Sequence, residues 1–438
     1  MPDGREPLLI LRPGAWSPAH LSTSGSWLAS QIANAGNFAF VSAFWHPVIK
    51  KFQRLIEETP EFYIGFHDMF SEIPVGHDHD PAGQPQVKDY MTMLNIFNKL
   101  IAEPPEWPSE PSDTSMIGFP FDSILNWPSC TRAGFNMLTN PIVNAQLKKV
   151  LDAWGDYLRT PASRSVIPFA INSWPTSTRD FIDTYVCDPE DPTGFFGFMS
   201  WDDFFVRRFR KGKRAIPQTL LENDAVVHSA CEASVYRIAH NVKARDSFWL
   251  KTQDSSLYHM LNNDTLAAEF VGGTVFQAYL SASKYHRWHS PVNGVVVKTV
   301  VVPGTYFAGS PAASFDSTNG VGDASVPMES QGFITAVAAR ALVFINASDP
   351  RIGLMCFMAV GMVEVSTCEV TVKPGDILTK GQEIGMFHYG GSTYCLLFRH
   401  ATGIQFSDRC ALRANECNPE LLLNEPLAWV GTKPDSIS

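Results

Sequence analysis

The stretch "FHYGGSTYCLLF", Phe387 to Phe398, reads as buried strand interrupted in its middle. Aromatic and aliphatic residues stand on both sides of Gly390, Gly391, Ser392 and Thr393. A glycine pair inside a strand weakens it and marks a tight turn or a close backbone approach. Around it lie further short runs rich in Val and aromatics and punctuated by Gly and Pro. They are "DAVVHSACEASVYRIA", "GVVVKTVVVPGTYF", "ARALVFIN", "LMCFMAVGMVEVSTCEVTV" and "EIGMFHY". These predict strands of a largely antiparallel sheet.

The N-terminal part has a different texture. In "HPVIKKFQRLIEE" the residues Val48, Ile49, Phe52, Leu55 and Ile56 share one helical face. "DYMTMLNIFNKLI" and "VNAQLKKVLDAWGDYL" repeat that period. The loops "PVGHDHDPAGQP" and "EPPEWPSEPSD" separate them, and "CDPEDPTGFFGF" from Cys187 marks the change of texture. The expectation is an α+β chain: a helical N-terminal region over residues 1–190, then a β-rich catalytic domain over 191–438.

Bulk properties narrow the class. Of 438 residues 45% are apolar and 18% charged, and the formal charge is −10. A real core is affordable, and acid excess argues against nucleic acid and anionic membrane surfaces. The longest apolar run, Ile352 to Val363, is shorter than the ~20 residues a spanning helix needs. It predicts a buried strand or strand pair, with no stable membrane insertion. Eight cysteines without a C-x-x-C pair predict reduced, mostly buried thiols in a cytoplasmic protein. Oligomeric state is not legible.

Several groupings carry candidate chemistry. "HDHD", His77 to Asp80, holds metal-ligand types in a solvated loop and lacks a further cluster. "FDSTNGVGDAS", with Asp316, Asn319 and Asp323, lacks the closing Glu of a calcium loop. No metal is expected. "CEVTVKPGDILTKGQEIGMF" has the strand–turn–strand form of a carrier barrel, but Pro374-Gly375 holds the tip and Lys373 and Lys380 only flank it. "KYHRWHSPVNG" places His286 and His289 at the mouth of a strand, before a strong turn, where an imidazole suits proton transfer. The break itself lacks G-x-S-x-G and the Lys of a phosphate loop. A serine served by a His and an acid elsewhere stays open. A Gly–Ser bond also permits self-cleavage: the hydroxyl attacks the preceding carbonyl, glycine there does not obstruct it, and elimination then hydrolysis leaves a pyruvoyl group.

Three segments in order carry a family resemblance. "TKGQEIGMFHYGGSTYCLLF" and "KYHRWHSPVNG" resemble the two signatures of pyruvoyl-dependent phosphatidylserine decarboxylases, and "SWDDFFVRRFRKGKRAI" resembles the entry to the same domain. The resemblance spans roughly Trp201 to Phe398. It implies a scissile bond between Gly391 and Ser392 and a pyruvoyl cofactor made from Ser392. It also implies His289 as the residue that activates Ser392, and His286 as the proton handler of decarboxylation. Glu232 of "SACEA" stands where the family has an Asp, as the group that would orient His289. "TRAGF", "VPGTYFA" and "GMFHYGGS" bring the chain near the soluble fungal branch that decarboxylates aromatic amino acids. The implied substrate is an aromatic L-amino acid, tryptophan foremost, with Trp288 as a candidate ring-stacking residue and the cleaved C-terminal chain as a retained partner. Two rival readings stand beside it: a phosphatidylserine decarboxylase, or a binding homologue that the Asp-to-Glu departure keeps from maturing.

Overall fold

The computed structural model describes residues 21–37, 44–73, 86–106, 119–129, 131–174, 176–245, 256–280, 284–309, 331–364, 367–389, 392–411 and 419–434. His77–Asp80, the Asp316–Asp323 segment, Gly390 and Gly391 lie outside the described residues.

Helices come first: α1 (Leu21–Asn37), α2 (Pro47–Glu58), α3 (Pro60–Ser71), α4 (Tyr90–Leu100), α5 (Asp122–Ser129), α6 (Arg132–Thr139) and α7 (Pro141–Leu158). Short helices α8 (Ile167–Asn172), α9 (Thr178–Thr184) and α10 (Trp201–Phe205) follow. Their starts obey local chemistry. Asp89 accepts from the Thr92 N–H at 2.7 Å ahead of α4, and Asn140 accepts from Ile142 N–H at 2.9 Å ahead of α7. Pro141 takes the first helical position of α7, where a missing N–H costs nothing. The predicted apolar faces are buried: Ile49, Phe52 and Ile56 on α2, and Val143, Leu147, Val150, Trp154 and Leu158 on α7. The face of α2 reaches α3, α4 and α7.

The strands are β1 (Val226–His228), β2 (Ala233–His240), β3 (Thr274–Leu280), β4 (Arg287–His289), β5 (Gly294–Val302), β6 (Arg340–Ala347) and β7 (Leu354–Gly361). After these come β8 (Thr367–Val370), β9 (Ile377–Leu378), β10 (Glu383–His388), β11 (Ser392–Phe398), β12 (Gln405–Phe406), β13 (Glu420–Leu421) and β14 (Pro426–Trp429). An eight-stranded sheet runs β13-β2-β3-β11-β7-β6-β5-β9, with three-stranded sheets β4-β10-β8 and β1-β14-β12 beside it. Every strand pair in these sheets is antiparallel. The fold is therefore α+β with helices leading and an antiparallel β-rich part following.

Both halves of the opening stretch are strand, but they belong to different sheets. β10 lies in the β4-β10-β8 sheet, and β11 lies inside the large one. All seven residues of β11 are buried, which explains why it reads as a continuous apolar run and not as an alternating one. Most of the Ile352–Val363 run is likewise β7, paired with β11 from Phe398↔Met355 through Ser392↔Gly361. One continuous hydrophobic core extends from Trp27 to Val430. Lys380, a flank of the carrier-like turn, is buried and donates to the Leu220 and Asn223 carbonyls, so it serves packing.

Candidate active site

Ser392 opens β11 between Leu280 of β3 and Gly361 of β7. It is fully buried, and its Oγ has no hydrogen-bond partner among the described residues. Three residues upstream Tyr389 has φ of 38°, in the left-handed region that a bulky residue adopts only under constraint.

The two histidines stand on β4 and its lead-in, and the β4–β10 ladder separates them. His289 lies opposite Glu383, at the start of β10. The His286 carbonyl accepts from Phe387 N–H at 2.9 Å, toward the end of β10 that leads into Tyr389 and Ser392. The His286 ring is buried and stacks on Phe205 of α10 at 4.1 Å, and Phe205 in turn lies 5.4 Å from the Tyr389 ring. His286 is thus one ring away from the segment before Ser392.

His289 is held at both nitrogens. Nδ1 is 2.7 Å from the Gly381 carbonyl, and Nε2 is 3.0 Å from the Tyr285 hydroxyl. A carbonyl only accepts, so Nδ1 carries the proton and Nε2 presents its lone pair to the Tyr285 O–H. Burial pushes the His289 pKa below its ordinary value, against the pull of the Gly381 carbonyl and the Glu383 charge. The ring is thus held neutral, with its proton on Nδ1.

Glu232 departs from its expected place. Its Oε1 accepts from Arg214 Nε at 2.5 Å, with the two side chains 6% and 25% exposed. The Nδ1 position that an orienting carboxylate would take on His289 belongs to the Gly381 carbonyl. Packed neighbours link Glu232 to this centre: Arg214, its partner, lies over the Phe209 ring at 5.1 Å, and Phe209 packs on Tyr285 at 4.2 Å.

Trp288 also departs from expectation. It is fully buried, packs on Phe387 at 4.8 Å and Phe357 at 5.5 Å, and lies against Gly385. It packs as a core residue between the small sheet and β7.

Two family models, both described as phosphatidylserine decarboxylase, match residues 46–178 and 201–416. The chain belongs to the phosphatidylserine decarboxylase family. Decarboxylase iboD of Amanita muscaria is 40% identical over 337 residues, covering 72% of this chain and 95% of the relative. L-tryptophan decarboxylase of Psilocybe cubensis is 34% identical over 371 residues, covering 80% of each. Phosphatidylserine decarboxylase proenzyme 3 of Schizosaccharomyces pombe is more distant, 26% identical over 219 residues, 50% of this chain and 20% of the relative. As a member of the phosphatidylserine decarboxylase family the chain is a carboxy-lyase, nearer to the fungal L-tryptophan decarboxylases than to this phospholipid enzyme.

Within this family member, some site residues are absent from the sequence reading. Tyr285 and Arg214 sit inside the quoted motifs, and a buried tyrosine beside a histidine was the available signal. His388, just before the break, is bound by two carboxylates: Nδ1 lies 3.0 Å from Asp202 of α10, and Nε2 lies 2.8 Å from Glu369 of β8. Burial alone would lower its pKa, but Asp202 and then Glu369 overcome this and hold it above the ordinary value. Among the described residues no group of three or more His, Cys, Asp and Glu side chains is arranged to hold a metal.

Proposed function

We propose that this chain is a pyruvoyl-dependent decarboxylase of aromatic L-amino acids, L-tryptophan foremost, matured by its own cleavage between Gly391 and Ser392. The observation that carries this is the buried Ser392 Oγ, which has no partner among the described residues. Leaving such a hydroxyl unpaired costs on the order of 1–3 kcal/mol, and its loss during maturation removes that cost. Position 392 therefore fits the group.

The self-cleavage balances as follows. Ser392 Oγ attacks the Gly391 carbonyl, and the acyl group passes from nitrogen to oxygen. Elimination leaves Gly391 as a free carboxylate and position 392 as dehydroalanine. Water then enters, ammonia leaves, and the ketone remains. His289 serves as the base in this reading: Nδ1 keeps its proton on the Gly381 carbonyl, burial keeps the ring neutral, and Nε2 takes a proton once it gives up the Tyr285 hydroxyl. Tyr285 holds that ring in position.

Once formed, a pyruvoyl group supplies the electron sink that takes the pair left by departing CO₂. His286, buried flat on Phe205, provides the proton for the substrate carbon. The rings of Phe205, Tyr389, Trp154 and Trp201 next to it form an apolar setting suited to an aromatic side chain. The two relatives named L-tryptophan decarboxylase support the same substrate class. Among the described residues no helix is long and apolar enough to cross a membrane. The six described cysteines are free, which suits the reducing cytoplasm. Residues 392–438 stay bound as a second chain.

Intact mass spectrometry of the purified protein tests this, followed by CO₂ release from tryptophan, phenylalanine and phosphatidylserine. The expected result is two chains, 1–391 and 392–438, the shorter reactive with phenylhydrazine, and CO₂ from the amino acids only. Ser392→Ala is expected to stay uncut and inactive, and CO₂ release by that variant would refute the assignment. The commitment of Glu232 to Arg214 favours one second reading, a binding homologue that does not mature. A single chain of 438 residues without a reactive ketone would establish it.

A further inference from the structure

Glu364 takes no part in the chemistry above, yet it lies three residues past Gly361, the residue facing Ser392 across the β7–β11 ladder. It is 5% exposed. Its Oε1 accepts from Phe121 N–H at 2.9 Å and from Asp122 N–H at 3.5 Å, at the start of α5. Its Oε2 is buried and has no partner among the described residues. A helix cap needs one oxygen, so the second is unexplained by structure alone. Val363, directly before it, has φ of 50°, rare for a β-branched residue, so the chain is held in an unfavourable shape where it presents this carboxyl.

The surroundings are aromatic. Phe121 lies 5.0 Å from Trp154, Trp154 lies 4.4 Å from Tyr389, and Tyr389 lies 5.4 Å from Phe205, which carries His286. Glu364 joins this line at Phe121, whose backbone N–H its Oε1 accepts. A continuous line of rings thus runs from a half-committed carboxyl to the proton donor at the reacting carbon. Tyr389 fills the middle of that line in the uncut chain. After cleavage it would be third from the end of the longer chain, and its left-handed backbone gives it reason to move.

We propose that the box of Phe121, Trp154 and Phe205 around Tyr389 is the subsite for the substrate ring, and that Glu364 Oε2 determines specificity by accepting a hydrogen bond from a ring N–H. This rests on the aromatic amino acid reading above. A buried acceptor discriminates strongly against a ligand that leaves it unpaired. Such a site takes an indole and rejects an isostere without the N–H.

The test uses the self-cleaved enzyme with tryptophan and with its sulfur isostere, 3-benzothienyl-alanine, which fills the same volume without the N–H. In the wild type kcat/KM is expected to favour tryptophan by about tenfold or more, and Glu364→Gln, whose amide nitrogen cannot accept, is expected to erase most of that ratio. The glutamine keeps Oε1 for the two N–H groups, and the cleaved fraction by intact mass reports whether the fold survives. A parallel loss for both substrates would leave Glu364 as a helix cap only and overturn the inference, as would equal wild-type kcat/KM values, a result that needs no variant. Wild-type enzyme that is fully cut but turns over neither compound would overturn the aromatic reading itself.

Discussion

His289 shows what single contacts decide. The Gly381 carbonyl fixes which nitrogen holds the proton, and burial lowers the pKa, so the ring is neutral at cell pH. The active form of a base is the neutral one, so acidification removes it only below the unperturbed value near 6.5. Self-cleavage followed by intact mass from pH 5 to 8 is expected to be flat above pH 7 and to fall with a midpoint below about 6.5. A midpoint above that value would place the proton transfer on another group. The sequence singles out Ser392, His286 and His289 because each stands in a short contiguous motif. It does not single out their partners. Glu232 meets an arginine 18 positions earlier, and His388 meets Asp202 from 186 positions away, so loop paths choose between carboxylates that the sequence leaves equivalent. Trp288 was ambiguous for another reason: an aromatic in a strand reads the same whether it packs a core or lines a site.

At the scale of elements the small β4-β10-β8 sheet positions the site, and Gly385 is where it closes on its neighbour. A Cβ there would stand 2.4 Å from the Glu369 carbonyl oxygen and 2.5 Å from the Trp288 ring. Backbone on one side and a buried indole on the other leave no cheap relief. Gly385→Ala is therefore expected to cost roughly 1–3 kcal/mol, read as a lower thermal midpoint, and to slow cleavage by shifting β10. An unchanged midpoint would mean that the two sheets slide easily. Helix and strand types were readable because the periods are strong, three to four residues on α2 and α7 and continuous apolar runs on β7 and β11. The assignment of β10 and β11 to different sheets was not readable, since nothing local says which edge a strand will join.

At the scale of the molecule the helical part and the β-rich part meet over the site. Trp154 of α7 reaches Tyr389, Glu364 caps α5, and His388 of β10 bonds to Asp202 of α10. The last contact makes the union pH-sensitive. The folded pKa of His388 is raised, so its contribution is fully present below the unfolded value near 6.5 and is lost as pH rises through the folded value. The drop in thermal midpoint caused by His388→Gln is expected to be larger at pH 6 than at pH 8.5. An equal drop at both would show that the imidazolium is not what the two carboxylates bind.

The position of β11 has a consequence for the life history of the protein. Its seven residues pair with β3 on one side and β7 on the other. Before the proposed cut, that insertion is a first-order event within one polypeptide. Afterward a denatured molecule must recover the same strand from solution, as a second-order encounter whose yield depends on dilution. Precursor and product would share a fold yet differ in whether they can find it twice, and the catalyst would in practice be assembled once.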